Sequence, residues 1–403
     1  MRNLSKFLAI AGMITIAILF LVKSPKASSQ HFVVTNDNQD GPNTATIYVA
    51  EGTPFKSKLK IVKTIPTGGA GVGGGRIYFA AIGEAIVSDG EEECAFVSDP
   101  GSSDIAGIIP ATLQVTGNFK GSSSDKASSV GMGLLAHGNY LYAAFTGSNT
   151  IGTFHIEPGC KLKFVGDTPV HPLEGGSPDG MAARNDMLVV TYGDGSIESF
   201  NIAEGEPVSN DDEQLGTGYH EGAYRWPAGV DISKDRRFAI FGDAVPGEPV
   251  VEISDVSSGK LTPTIVYGGD DGSLGTGESS NNIWIGPQEI YLYISNNFSD
   301  QVTAVRFHQS TGVISPIEDG GCMSSALKGS AASVGVLAGE GPFEDVGITL
   351  AVAEYGLEQA SAVGTLLRTT SGSGCAFAES VDSPAQNSSD FLDSLSVWPP
   401  RPF

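Results

Sequence analysis

The sequence predicts an all-β fold, a β-propeller of seven four-stranded antiparallel blades with a C-terminal strand closing the first. Three observations predict it. A strand–turn–strand pattern recurs at a period near fifty residues, as expected of units that cannot bury their faces alone and stack into a common core. The chain has 53 glycines and only 17% charged residues in 403, which suits many tight turns and few surface helices. The tail Phe391 to Trp398 alternates like a strand and fits the one innermost position that the first copy leaves open.

In chain order, residues 1–29 read as an address. Met1 to Lys6 is basic, Phe7 to Val22 is an unbroken apolar run, and small residues follow, with Ala27 and Ser29 at the −3 and −1 positions of a signal cleavage site. The apolar run is 16 residues, short of the roughly 20 that span a bilayer, so export is favoured over an uncleaved anchor. Residues 30–403 then form the propeller, expected as a secreted or periplasmic monomer with no membrane association once the signal is removed.

The copies follow. Phe32-Val-Val-Thr-Asn to Thr46-Ile-Tyr-Val is the first, and Ala95-Phe-Val-Ser-Asp marks a degenerate second. Leu141-Tyr-Ala-Ala-Phe, a Gly-Ser-Asn turn and Thr150-Ile-Gly-Thr-Phe-His-Ile give the third. Leu188-Val-Val-Thr-Tyr, Gly-Asp-Gly and Ser196-Ile-Glu-Ser-Phe-Asn-Ile repeat that grammar, as do the copies at Phe238 and Tyr291. Thr349-Leu-Ala-Val-Ala-Glu-Tyr begins the seventh. A row of sandwiches would need longer units, because each must build a two-sheet core. Pro399-Pro-Arg-Pro cannot continue a ladder and ends the closing strand.

Charge narrows the function. There are 23 Lys and Arg against 46 Asp and Glu. Without the four cations of the first thirty residues, 19 oppose 46, a net charge of about −27. Such a field repels phosphate backbones and anionic lipid, so no nucleic-acid partner is expected. The four cysteines, Cys94, Cys160, Cys322 and Cys375, form no C-x-x-C and have no nearby histidine. In an oxidising compartment they allow three pairings. Blade order favours Cys94 with Cys160 and Cys322 with Cys375, each pair joining consecutive blades.

The strand, Asn/Gly-Ser turn, Thr-Ile/Val-x-x-Phe and Gly-x-Leu grammar resembles the lactonase-like seven-bladed propellers, the family of 6-phosphogluconolactonase and the carboxymuconate-cyclising enzymes. The resemblance covers most of the mature chain and implies a sugar-lactone or cyclic-ester substrate. It transfers no catalytic residue, because the grammar encodes strands and turns rather than chemistry.

Propeller ligands sit where the turns between second and third strands meet the loops entering innermost strands. Those turns carry Asn36, Asp37, Asp99, Asn149, Tyr192, Asp194, Asp243, Asn296, Glu354 and Tyr355; the entry loops carry Asp179, His220, Glu221, Arg225 and Trp226. Gly218-Tyr-His-Glu-Gly-Ala-Tyr-Arg-Trp-Pro is the most concentrated stretch. There His220 or Glu221 could deliver water to a lactone carbonyl as general base and Arg225 could hold the oxyanion. Trp226 and Tyr192 offer stacking surface, and Asp179, Asn149, Asn296 and Glu354 offer polar contacts to a substrate. The competing account is a surface loop whose aromatics seal a blade junction. Turn Asp and Asn residues also bond their own backbone.

Gly69, Gly71 and Gly74 match a dinucleotide-binding spacing but lead to no helix that could face a pyrophosphate, so no nucleotide cofactor is expected and an entry loop accounts for them. Asn36-x-Asn38-x-Asp40-Gly41 imitates a calcium loop but has Ile47 where the twelfth-position Glu belongs. A divalent metal held by acids from several blades stays open. Two functional classes remain: an exported lactonase-like hydrolase, and a non-enzymatic propeller that binds a protein or glycan.

Overall fold

A computed structural model describes residues 32–53, 56–73, 84–90, 92–121, 132–173, 176–212, 214–215 and 227–243, and the segments 250–255, 260–264, 280–285, 291–296, 301–315, 330–338, 347–355, 362–369, 375–382 and 395–398. The expected signal segment, residues 1–29, lies outside the described residues. Among the described residues no helix is long and apolar enough to cross a membrane.

Backbone ladders sort the strands into seven antiparallel sheets, six of them running from innermost to outermost strand in sequence order. The first sheet joins Phe32–Asn36, Gly41–Thr53 and Lys56–Gly71 to the C-terminal Leu395–Trp398. The second is Glu84–Ser88, Glu93–Asp99, Asp104–Ile109 and Gln114–Phe119. The third is Met132–His137, Tyr140–Phe145, Thr150–Glu157 and Lys161–Pro169. The fourth is Pro178–Arg184, Met187–Tyr192, Ser196–Asn201 and Val208–Ser209, with Gln214–Leu215 also paired to its third strand. The fifth is Pro227–Ile232, Phe238–Asp243, Val250–Asp255 and Thr262–Thr264. The sixth is Ser280–Ile285, Tyr291–Asn296, Gln301–His308 and Val313–Ser315. The seventh is Ser330–Ala338, Gly347–Tyr355, Ala362–Thr369 and Cys375–Asp382. This is the architecture of a β-propeller with antiparallel four-stranded blades.

Second strands are apolar on both faces because each blade lies between two others. Leu141, Ala143 and Phe145 point into the cluster shared with Phe96 and Ile105 of the second sheet. Tyr142, between them, points into the cluster with Leu188, Val190 and Tyr192 of the fourth. A one-residue slip would exchange the two faces, so the alternation also fixes register. Packing is described at five successive junctions, from the first sheet through the sixth. Beyond those, the blade count rests on backbone pairing.

The C-terminal strand takes the position expected of it. Phe32 pairs with Trp398 and Thr35 with Leu395, which covers the first sheet's inner edge and removes an aggregation-prone row of unpaired amides. Cys94 and Cys160 form a disulfide, Cα atoms 5.3 Å apart, between the second and third sheets. The expected Cys322–Cys375 pair falls outside the described side chains.

Carboxylates also hold junctions. Asp89 Oδ2 accepts Gly159 N–H at 2.9 Å and Cys160 N–H at 3.3 Å. Asp212 accepts Leu261 N–H at 2.5 Å, and Asp231 accepts Ile285 N–H at 2.7 Å. Part of the acid excess therefore works as acceptors for orphan backbone donors, which would be costly to leave unmade.

Candidate functional site

The turns between second and third strands share one face with the loops entering the innermost strands. On this face, at the junction of third and fourth sheets, lies the most chemically organised cluster of the described residues. Its centre is Glu198, on the third strand of the fourth sheet and fully buried. Strand alternation puts Glu198 on the same side as Phe200, facing the third sheet, while Ile197 faces the fifth.

Four donors converge on this carboxylate. Tyr192 O–H donates to Oε2 at 2.6 Å and Ser209 O–H to Oε1 at 2.6 Å. His171 donates its backbone N–H to Oε2 at 3.2 Å, and its Nδ1 lies 3.0 Å from Oε1. A carboxylate that receives so many donors is acceptor-only, so Nδ1 carries the ring proton and the basic nitrogen is Nε2. The His171 side chain is 50% exposed. A buried acid thus orients a solvent-facing imidazole, the arrangement by which a carboxylate fixes tautomer and direction of a general base. Burial and the neighbouring Glu198 charge push the Tyr192 phenol far above its usual range. It stays protonated and serves as a donor.

The backbone holds His171 in place. Val170 N–H donates to Asn149 O at 3.1 Å, and Leu173 N–H to Ser196 Oγ at 3.4 Å. Asp194 ties the loop to the turn: Gly176 N–H donates to its Oδ2 at 3.2 Å, and Ser196 N–H to its Oδ1 at 2.9 Å. Gly176 must be glycine here, since a Cβ would stand 2.5 Å from Asp194 N.

The residues expected from sequence divide accordingly. Tyr192 reaches the site, but its ring is in the core and offers no stacking face, because its strand is buried on both sides. Asn149 takes a positive φ of 51° at its turn and supports the His171 loop through its carbonyl. Asp179 is buried at the start of the fourth sheet's innermost strand. Asn296 is also buried, its amide donating to Thr303 Oγ1 at 2.8 Å. Glu354 lies on the strand Gly347–Tyr355, its side chain outside the described set. His220, Glu221, Arg225 and Trp226 lie outside the described residues.

Two motifs find structural explanations. Asn36 Oδ1 accepts Asn38 N–H at 3.0 Å and Asn43 Nδ2 at 2.9 Å, and Asn38 Oδ1 accepts Val72 N–H at 3.0 Å. These oxygens of the calcium-like stretch are turned to N–H donors. Gly69 and Gly71 end the first sheet's outer strand rather than forming an entry loop. A Cβ on Gly69 would lie 2.4 Å from Asp99 Oδ2 and 2.5 Å from Asp104 Oδ1, and one on Gly71 2.5 Å from Gln39 O. Among the described residues the one group of three potential ligands within metal reach is Asp89, Cys94 and Cys160. Its two sulfurs are spent in the disulfide.

No protein-family model matches the sequence, and no curated protein matches it. Solved structures do resemble the fold. A Bacteroides uniformis protein provisionally named a 6-phosphogluconolactonase superposes with TM-score 0.63 at 10% identity, covering 92% of this chain and 100% of its own. A Bacteroides fragilis protein of the same provisional name gives 0.63 at 14% identity over 93% and 99%. The periplasmic gluconolactonase of Pseudomonas aeruginosa gives 0.54 at 17% identity over 72% and 82%. At these identities the likeness establishes the propeller fold.

Proposed function

We propose that this chain is an exported hydrolase of small uncharged lactones or cyclic esters. The observation that carries the reading is the pair formed by buried Glu198 and half-exposed His171 on the ligand-binding face. His171 Nε2 takes a proton from water as the water oxygen bonds to the ester carbonyl carbon. The tetrahedral intermediate then expels the ring oxygen, which recovers that proton from the imidazolium and leaves the open hydroxy acid. Glu198 stabilises the imidazolium through Nδ1–H without accepting its proton. The lactonases named among the similar folds support the substrate class. The periplasmic neighbour and the signal-like residues 1–29 support export. The acidic surface favours an uncharged substrate over a phosphorylated one.

The test is turnover of uncharged sugar lactones and simple cyclic esters by the mature protein, with and without chelator, for wild type, His171→Gln and His220→Gln/Glu221→Gln. Losing a general base costs about 10²–10⁴-fold in rate, so the reading expects that loss in His171→Gln. Loss confined to the double variant moves the base to residues 220 and 221. Loss only with chelator assigns the water to a metal. A folded protein that turns over nothing in the panel puts the other reading, a propeller that binds a protein or glycan, ahead.

A further inference from the structure

A second buried cluster occupies the same face at the junction of first and second sheets, and its composition does not suit ester chemistry. Asp99, at the end of its strand, is fully buried, and Asp104, which opens the next strand, is 6% exposed. A substrate cannot reach them. Asp99 Oδ1 accepts Thr67 O–H at 2.7 Å and Asn43 Nδ2 at 2.8 Å, both from the first sheet. The Asn118 amide is shared, its Nδ2 lying 3.3 Å from Asp99 Oδ2 and 3.2 Å from Asp104 Oδ1. Those two carboxyl oxygens also flank one point beside Gly69, 2.4 and 2.5 Å from where its Cβ would be, so they are at most about 5 Å apart.

Among the described residues the surroundings do not neutralise two charges. Lys120 Nζ stands 3.9 Å from Asp104 Oδ2, on a side chain 57% exposed. Asp37, buried in the facing turn, adds a carboxyl of its own that accepts hydroxyls of Thr35, Thr44 and Thr46. Asp40, in the same turn, is exposed. Two buried carboxylates this close cannot both ionise cheaply. In keeping with that, burial, opposed by the Thr67 and Asn43 hydrogen bonds and reinforced by Asp104, pushes the Asp99 carboxyl from 3.8 up to about 7.

We infer that Asp99 and Asp104 share a single proton that locks this end of the first junction, and that losing the proton as pH rises loosens it. The lock has visible parts. Gly101 N–H donates to Ala70 O at 2.8 Å, and Ala70 N–H donates to Ser102 Oγ at 2.8 Å. Both bonds tie the Asp99–Asp104 turn to the outer strand of the first sheet, so repulsion between the acids acts directly on them.

The sign follows from linkage. The closed junction binds one proton more than the open one between the ordinary Asp pKa and the raised one. Its closing constant therefore falls tenfold per pH unit over that window, from about 4 to about 7, and is level above it. The experiment is hydrogen exchange of the full mature protein from pH 5 to 8, corrected for intrinsic rates and read on peptides spanning 66–73 and 99–104. Wild type should lose protection about tenfold per unit up to about pH 7 and then level off. Asp99→Asn, whose amide donates to Asp104 as the shared proton does, should keep high protection at every pH. Asp104→Asn removes the neighbouring charge but leaves Asp99 buried, so its fall in protection should end at a lower pH than in wild type, and that shift decides the matter if Asp99→Asn does not fold. Protection in wild type that does not change with pH, a slope that persists in folded Asp99→Asn, or a fall in Asp104→Asn that ends at the wild-type pH overturns the inference.

Discussion

Replacing Glu198 by Gln separates stability from catalysis in a way the geometry makes quantitative. Glutamine has one acceptor oxygen and one –NH2 group where the carboxylate had two acceptors. With –NH2 toward Tyr192, the His171 backbone N–H at 3.2 Å loses its acceptor and cannot turn away. With –NH2 toward Ser209 and His171 Nδ1, the hydroxyl rotates and the ring accepts at Nδ1, so all four contacts survive. The second orientation wins. Its cost is the loss of charge assistance, from about 1.5–3 to about 0.5–1.5 kcal/mol per bond before non-additivity, and we expect roughly 1–3 kcal/mol in total. The imidazole pays differently: its proton moves to Nε2, the basic nitrogen turns inward, and hydrolysis should fall about 10²–10⁴-fold. Glu198→Ala has no such escape. It leaves four donors facing a cavity and should cost more than the Gln variant, about 3–5 kcal/mol. Urea unfolding at pH 7 reads the stabilities, and nitrogen NMR of the His171 ring reads the tautomer. If His171 keeps its proton on Nδ1 in the Gln variant, or both variants lose less than about 1 kcal/mol, Glu198 is not the acceptor described.

Cys94→Ser/Cys160→Ser should lose up to about 4 kcal/mol, the closure entropy of a loop whose ends are 66 residues apart. Thiol titration of the unreduced, unfolded wild type should find neither cysteine reactive, and reaction at either would reject the bond. Deleting residues 390–403 uncovers the edge at Phe32–Thr35 and should replace cooperative melting by aggregation; an unchanged transition would count against closure. Gly69→Ala forces a methyl onto the Asp99 and Asp104 carboxyls. It should cost about 1–3 kcal/mol by overpacking, measured by thermal melting, and a neutral result would mean that the acids are not so close.

Strands and turns were legible from sequence because their causes are local. The second strands read at Phe32, Leu141, Leu188, Phe238 and Tyr291 begin within a residue of the observed ones, since period-two apolar runs ending in Asn, Gly or Ser permit little else. The closing strand was legible too, from one missing strand and one surplus segment. The candidate site was not. Glu198 sits where the third copy has Gly152, and a carboxylate inside a buried strand was the available signal.

What sequence could not supply was the partner. His171 lies 27 residues from Glu198 and Asn43 lies 56 from Asp99. Such pairs meet only when adjacent blades pack face to face. Likewise, Tyr192 and Asn296 carry the polar groups of a ligand site but are buried. A residue's type and its place along a strand follow from the chain itself. Whether a polar group faces solvent, a core or another acid follows from stacking, because one blade's exposed face is the next blade's interior.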